Sequence, residues 1–226
     1  MRVIKAVVGT YSDWPEAVSE LNAVDGLSDG VTLVVARERH VESCHGLALA
    51  IGYDALRQRG LRKLVAYSSR QNLLGNFLSF SCGDGFLNRW VAKKDDLAVA
   101  KRSKDAPLAL HYGVSEPLFV EEMEKRLRRD LWPFGPKIIL ADVECWRLPA
   151  LENLETLARS RHRKILVTTS LPIAPSGGPP TQESIALALE SATGMHVDNL
   201  AHQILSISEP IPDRGMLRYE VGVITV

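Results

Sequence analysis

The chain has 226 residues with 27 Lys+Arg against 27 Asp+Glu, so its formal net charge is zero and no global field draws it to nucleic acid or an anionic membrane. Its 46% hydrophobic and 24% charged residues exclude the apolar-poor, charge-rich make-up of a disordered chain. Cys44, Cys82 and Cys145 are odd in number and widely spaced, which excludes a disulfide framework and a CxxC zinc site.

The first apolar run, residues 3–9 (VIKAVVG), predicts a buried strand feeding a helix capped by Ser12 or Asp13, with Pro15 in its first turn. The pattern recurs as a strand at 31–36 (VTLVVA), a helix from about 41 to 59 ended by Gly60, and a strand at 63–67 (KLVAY). Strands without polar alternation, separated by helices, predict a parallel sheet covered on both faces. A short strand at 77–80 and a helix at 86–94 come next, and residues 97–100 and 108–112 read as further strands. Apolar positions Leu118, Met123, Leu127 and Leu131 among many charges predict an exposed amphipathic helix over 116–131, stopped by Pro133-Phe134-Gly135-Pro136. A strand at 137–142 (KIILAD), a helix at 149–161 and a strand at 164–168 follow. After the Gly- and Pro-rich stretch 170–180, Thr181 and Ser184 start a helix that Gly194 closes. The last strands, 203–208 and 219–226, are joined without a helix, which predicts an antiparallel pair at the sheet edge. The expectation is one α/β domain over 1–226, a mainly parallel Rossmann-like sheet flanked by helices. No apolar run reaches the ~20 residues of a membrane helix. The opening lacks the long apolar segment of a secretory signal, so a soluble cytoplasmic protein without a membrane is expected.

The stretch 77–90, FLSFSCGDGFLNRW, runs a short apolar strand into two glycines and then a helix. Glycines at such a turn let the backbone approach a ligand, and the helix start presents unpaired N–H groups. The plain alternative is a Gly-Asp-Gly turn that binds nothing. Cys82-Gly83-Asp84-Gly85-Phe86 resembles the first motif of class I S-adenosylmethionine-dependent methyltransferases, an apolar strand ending in an acidic residue, then Gly-x-Gly-x-Gly. Gly83 and Gly85 match its second and third glycines, while Ser81 stands at the first and Ser79 at the acidic position. The order of elements over 70–226 is also similar to that family, down to the strand ending in Asp142-Val143-Glu144 and the closing antiparallel pair.

The resemblance implies S-adenosylmethionine as cofactor, its amino-acid end cradled by Ser81, Cys82, Gly83, Asp84, Gly85 and Phe86, with Asp142 and Glu144 lining the methyl-transfer site. It implies a small-molecule or macromolecular methyl acceptor. Since the Lys-Asp-Lys-Glu set of ribose methyltransferases lacks its lysine at Thr168-Thr169-Ser170, that acceptor is expected to be already nucleophilic. The alternative is a non-catalytic nucleotide-binding α/β module. A third reading, a phosphohydrolase, rests on a loose similarity of residues 138–144 and 167–170 to haloacid-dehalogenase phosphatases.

Other features carry competing readings. Residues 45–53 (HGLALAIGY) with 64–67 are similar to nucleoside deoxyribosyltransferases, but Ala50 stands where their glutamate belongs, and Gly46 and Gly52 equally suit close helix packing. His40, Glu42, Cys44 and His45 are zinc-ligand types whose spacing falls off one helical face, so a polar helix start is the alternative. Asp142 and Glu144 alternate at a strand end, as paired carboxylates or as one solvent-facing group and one helix cap. The basic residues 125–129 and Arg159, Arg161, Arg163 and Lys164 either touch phosphates or form solvated helix faces.

Overall fold

The computed structural model describes residues 2–8, 27–37, 40–59, 64–69, 120–132, 138–172, 181–209, 211–214 and 216–226. The sequence elements expected at 77–80, 86–94, 97–100 and 108–112, and the helix capped by Ser12 or Asp13, lie outside them.

The described strands are β1 (Arg2–Val8), β2 (Gly30–Arg37), β3 (Leu64–Ser68), β4 (Ile138–Asp142), β5 (Lys164–Leu171), β6 (Gln203–Ile207), β7 (Ile211–Asp213) and β8 (Met216–Thr225). They join in one sheet of order β1-β8-β6-β2-β5-β4-β3, with β7 pairing β8. From β6 through β3 every pairing is parallel. All five residues of β4 and of β6 are buried, as an unalternating apolar run requires when helices cover both faces.

The helices are α1 (Val41–Arg59), α2 (Val120–Asp130), α3 (Leu154–Ser160), α4 (Gln182–Thr193) and α5 (Val197–Leu200), with a 3₁₀ helix at Cys145–Leu151. One face of the sheet presents Val31, Leu33, Val35, Val65, Tyr67, Ile139, Ala141, Ile165 and Val167 to a single core. Met123 and Leu127 of α2, Leu154 and Ala158 of α3, and Ile185 and Leu189 of α4 close that core. The alternate side chains of β4, ending in Asp142, face the other way, where α1 lies with Leu47, Ala48, Leu49 and Ile51 buried.

Local chemistry sets the helix limits. The Thr181 hydroxyl accepts from Ser184 N and the Ser184 hydroxyl accepts from Thr181 N, closing a capping box, and Gly194 ends α4 at φ 70. In α2 the charged face is internally paired, Arg126 with Glu122 at 2.9 Å and Arg128 with Glu124 at 2.7 Å. Those two arginines of the 125–129 run therefore belong to a paired helix face. In the other basic cluster only Arg163 and Lys164 turn inward, Arg163 donating to Trp132 O and Lys164 donating to Leu27 O and pairing with Asp29, while Arg159 and Arg161 are exposed.

Two expectations change. Residues 2–8 join the sheet as its outermost described strand on that side, pairing only β8, rather than among the parallel strands. Because β8 is antiparallel to both β1 and β6, β1 still runs in the common direction. The antiparallel pair of β6 and β8 is present as expected, but it is not the sheet edge, since β1 covers the far side of β8. The closing segment also holds the short hairpin strand β7, which turns into β8 through Arg214 at φ 50.

Candidate functional site

The C-terminal ends of the parallel strands bring a polar cluster together. Strand register aligns Ser68 with Asp142 and Asp142 with Thr168, so the last residues of β3 and β4 and Thr168 within β5 place three polar side chains side by side on the face covered by α1. Asp142 is fully buried, and its carboxylate takes contacts on both oxygens. Oδ1 lies 2.9 Å from His45 Nε2 and accepts from Thr168 Oγ1 at 2.8 Å; Oδ2 accepts from Ser68 Oγ at 3.0 Å. The Asp142 carbonyl accepts from both the backbone N–H and the hydroxyl of Ser69, at 2.9 and 3.1 Å. A buried carboxylate with this many donors is held in one orientation, and each donor is held by it.

Glu144 has a different environment. It is half-buried, stands at the N-cap of the 3₁₀ helix without a side-chain cap bond, accepts from Ser69 Oγ at 3.3 Å and pairs with Arg147 at 3.0 Å. The Arg147 guanidinium in turn sits 4.5 Å over the ring of Trp146, which is 63% exposed. The two carboxylates thus divide into a wholly buried hub and a partly exposed ion pair, with Ser69 bonding the backbone carbonyl of Asp142 and the carboxylate of Glu144.

His45 is buried in the first turns of α1 and meets Asp142 rather than a zinc-type cluster. Cys44 is buried beside it, its thiol 3.8 Å from Thr169 O. Among the described residues no group of three His, Cys, Asp or Glu side chains stands close enough to hold a metal ion. Gly46 and Gly52 are both buried in α1, in keeping with close packing against the sheet. Ser81, Cys82, Gly83, Asp84, Gly85 and Phe86 lie outside the described residues.

Two further buried groups flank the site from the opposite face. Burial pushes the Cys145 thiol up to about 11, so it is protonated at neutral pH and is no nucleophile. Burial raises the Tyr67 phenol above its ordinary range as well, helped by the Asp130 carboxylate that its hydroxyl bonds. The folded protein keeps both protons where the unfolded chain releases them, from the ordinary values of 9.0 and 10.0 upward. The unfolded state then binds fewer protons, so stability is present below pH ~9 and falls as pH rises beyond it. Urea midpoints measured in steps between pH 7.5 and 10.5 are expected to fall above ~9, and Tyr67→Phe to flatten the loss above ~10. Midpoints that stay level across that range would contradict these environments.

The sheet winding marks a position. The connection leaving β2 passes through α1 on one face toward β3, whereas the connection leaving β5 passes through α4 on the other face toward β6. The C-terminal ends of neighbouring strands whose connections leave to opposite faces are the usual ligand position of open α/β sheets. Here it falls between Arg37 at the end of β2, the first turn of α1, and Ser170 and Leu171 of β5. Residues 36–43 (ARERHVES) at the β2–α1 junction contain neither glycine nor lysine, so they do not form the Gly-x-x-x-x-Gly-Lys-Ser/Thr phosphate cradle. Arg37 turns its guanidinium to Glu209.

The sequence reading found Asp142 and Glu144 but missed His45, Ser68 and Thr168 as partners of Asp142. The available signal was the polar residue closing each of three apolar runs, YS, AD and VT, once the runs are aligned by their last buried position.

No family model matches the chain, and no curated protein matches it. Among solved structures, a KaiC-like protein from the hyperthermophilic archaeon Pyrococcus horikoshii OT3 is similar at 12% identity with a TM-score of 0.49, over 89% of this chain and 82% of that one.

Proposed function

We propose that the chain is a nucleotide-binding α/β module without acid–base chemistry of its own. The observation that supports this reading is that the connections after β2 and β5 leave to opposite faces, the arrangement that marks the usual ligand position at the carboxyl ends of a parallel sheet. The environment of Asp142 supports binding over catalysis. A general base must reach the proton it removes, and this carboxylate is fully buried with its oxygens occupied by His45, Ser68 and Thr168. Glu144, the more exposed carboxylate, is engaged by Arg147 and Ser69. The absence of a phosphate cradle after β2 argues equally against nucleotide hydrolysis at that position.

Calorimetric titration with ATP, S-adenosylmethionine and S-adenosylhomocysteine tests the reading. The expected result is saturable binding of ATP without turnover, weakened at least about tenfold by Ser170→Trp, which obstructs that position. Binding of S-adenosylmethionine that Gly83→Val or Gly85→Val abolishes and Ser170→Trp spares would move the site to the Cys82–Phe86 turn and restore methyl transfer. Failure to bind any of the three would overturn the proposal.

A further inference from the structure

A second cleft lies at the opposite end of the sheet, where β2 begins. It has a volume of about 400 Å³ and is lined by Glu155 and Arg159 of α3, Asp198 of α5, Ala201, His202 and Val226. That is room for a small organic molecule rather than a single water.

The cleft contains an unsatisfied charge. Glu155 is only 8% exposed; its Oε2 accepts from Val31 N, while its Oε1 is buried without a hydrogen-bond partner. The nearest cation, Arg159 Nε, stands 3.9 Å from Oε1, beyond hydrogen-bonding distance, on a side chain that is largely exposed. His202 Nδ1 is a second buried atom of this cleft without a partner. The backbone of His202 is fixed, its N–H donating to Val31 O at 3.2 Å and its carbonyl accepting from Val226 N at 2.9 Å. A buried carboxylate oxygen left unpaired is costly, and native proteins rarely keep one without a partner of some kind.

The chain is shaped to tolerate this arrangement. Gly30 has φ 114, and a Cβ there would stand 2.7 Å from Glu155 Oε1. The missing side chain leaves the carboxylate the space in which it stands.

We infer that this cleft binds a small ligand bearing a primary ammonium group. The ammonium donates to Glu155 Oε1 and, with the imidazole proton on Nε2, to His202 Nδ1, and Asp198 also lines the cleft. Two carboxylates against one guanidinium favour a cation, and the two empty acceptors require N–H donors rather than charge alone. The absence of any three-ligand His, Cys, Asp and Glu cluster among the described residues argues for an organic cation over a metal ion. The inference is independent of the ligand position at the far end of the sheet.

The backbone amide of Val31, bonded to Glu155, serves as the reporter. Putrescine added to the full-length chain is expected to shift the ¹⁵N–¹H resonances of Val31, Ala201 and His202 along saturable curves, with acetate and tetramethylammonium as controls. Glu155→Gln keeps an acceptor for Val31 N but turns an amide donor toward the ammonium, and should weaken the putrescine response at least about tenfold. If that variant does not fold, Asp198→Asn on the exposed side decides in its place, with a weakening of about threefold or more expected. No saturable shift up to about 50 mM putrescine, an equal response to tetramethylammonium or to acetate, or an unchanged affinity in the deciding variant would each overturn the inference.

Discussion

Asp142→Ala is expected to destabilise the protein by about 3–5 kcal/mol, a large share of the 5–15 kcal/mol that holds a typical domain folded. The substitution removes one carboxylate but strands three buried partners, His45 Nε2, Ser68 Oγ and Thr168 Oγ1. Ser68→Ala, which deletes a single donor and leaves the carboxylate its other two, should cost about 1 kcal/mol. Asp142→Asn keeps the shape but turns an amide N–H₂ toward a donor, and should fall between the two. Urea denaturation of the three variants measures this order. The outcome bears on function as well as stability. A carboxylate placed for chemistry alone would lose turnover on conversion to Asn with little change in the midpoint, whereas a hub loses the midpoint first. An Asp142→Ala midpoint within about 0.5 kcal/mol of wild type would overturn the account of this cluster.

Gly30→Ala is expected to cost about 3 kcal/mol or more, an unusual penalty for a single methyl group. Two effects add. The backbone sits at φ 114, a conformation that L residues rarely adopt, and the new Cβ would meet Glu155 Oε1 at 2.7 Å and Arg159 Cγ at 2.8 Å. The Glu155 carboxylate cannot simply retreat, because its other oxygen accepts from Val31 N at the start of the central strand β2. Gly194→Ala is the natural comparison. That residue also has positive φ, at 70, but nothing lies within 4 Å of its would-be Cβ, so only the conformational cost of about 1 kcal/mol applies. A thermal scan in which the two variants melt together would show that the contact with Glu155 is not the deciding element.

The strands of this protein were legible because their chemistry is local. The run VTLVVA has no polar alternation and is buried on both faces, and IILAD and KILVT behave in the same way. The start and end of α4 were equally legible, since Thr181, Ser184 and Gly194 satisfy the helix termini with atoms only a few residues away. The stripe of Met123, Leu127 and Leu131 also marked the buried side of α2 before any partner was known.

What the sequence by itself determined, then, is the α/β class and most of the longer described strands and helices, though not β7, α5 or the 3₁₀ helix at Cys145–Leu151, because apolar periodicity, caps and breakers act over one or two turns of chain. Only the tertiary structure decided the order of the strands. Residues 3–9 read as another buried parallel strand, yet β8, from the far end of the chain, pairs between β1 and β6. Tertiary structure also decided the character of the candidate site. His45, Ser68, Asp142 and Thr168 are separated by up to 97 positions from Asp142 and share no local pattern. Strand register and the packing of α1 make them one buried cluster, so the carboxylate that looks like an open acid–base group in the sequence is fully enclosed. The same holds for Glu155, whose unpaired oxygen exists only because β2, α3 and the approach to β6 meet at one end of the sheet. Pairing and burial depend on contacts between segments far apart in the chain, and no window of sequence contains both partners.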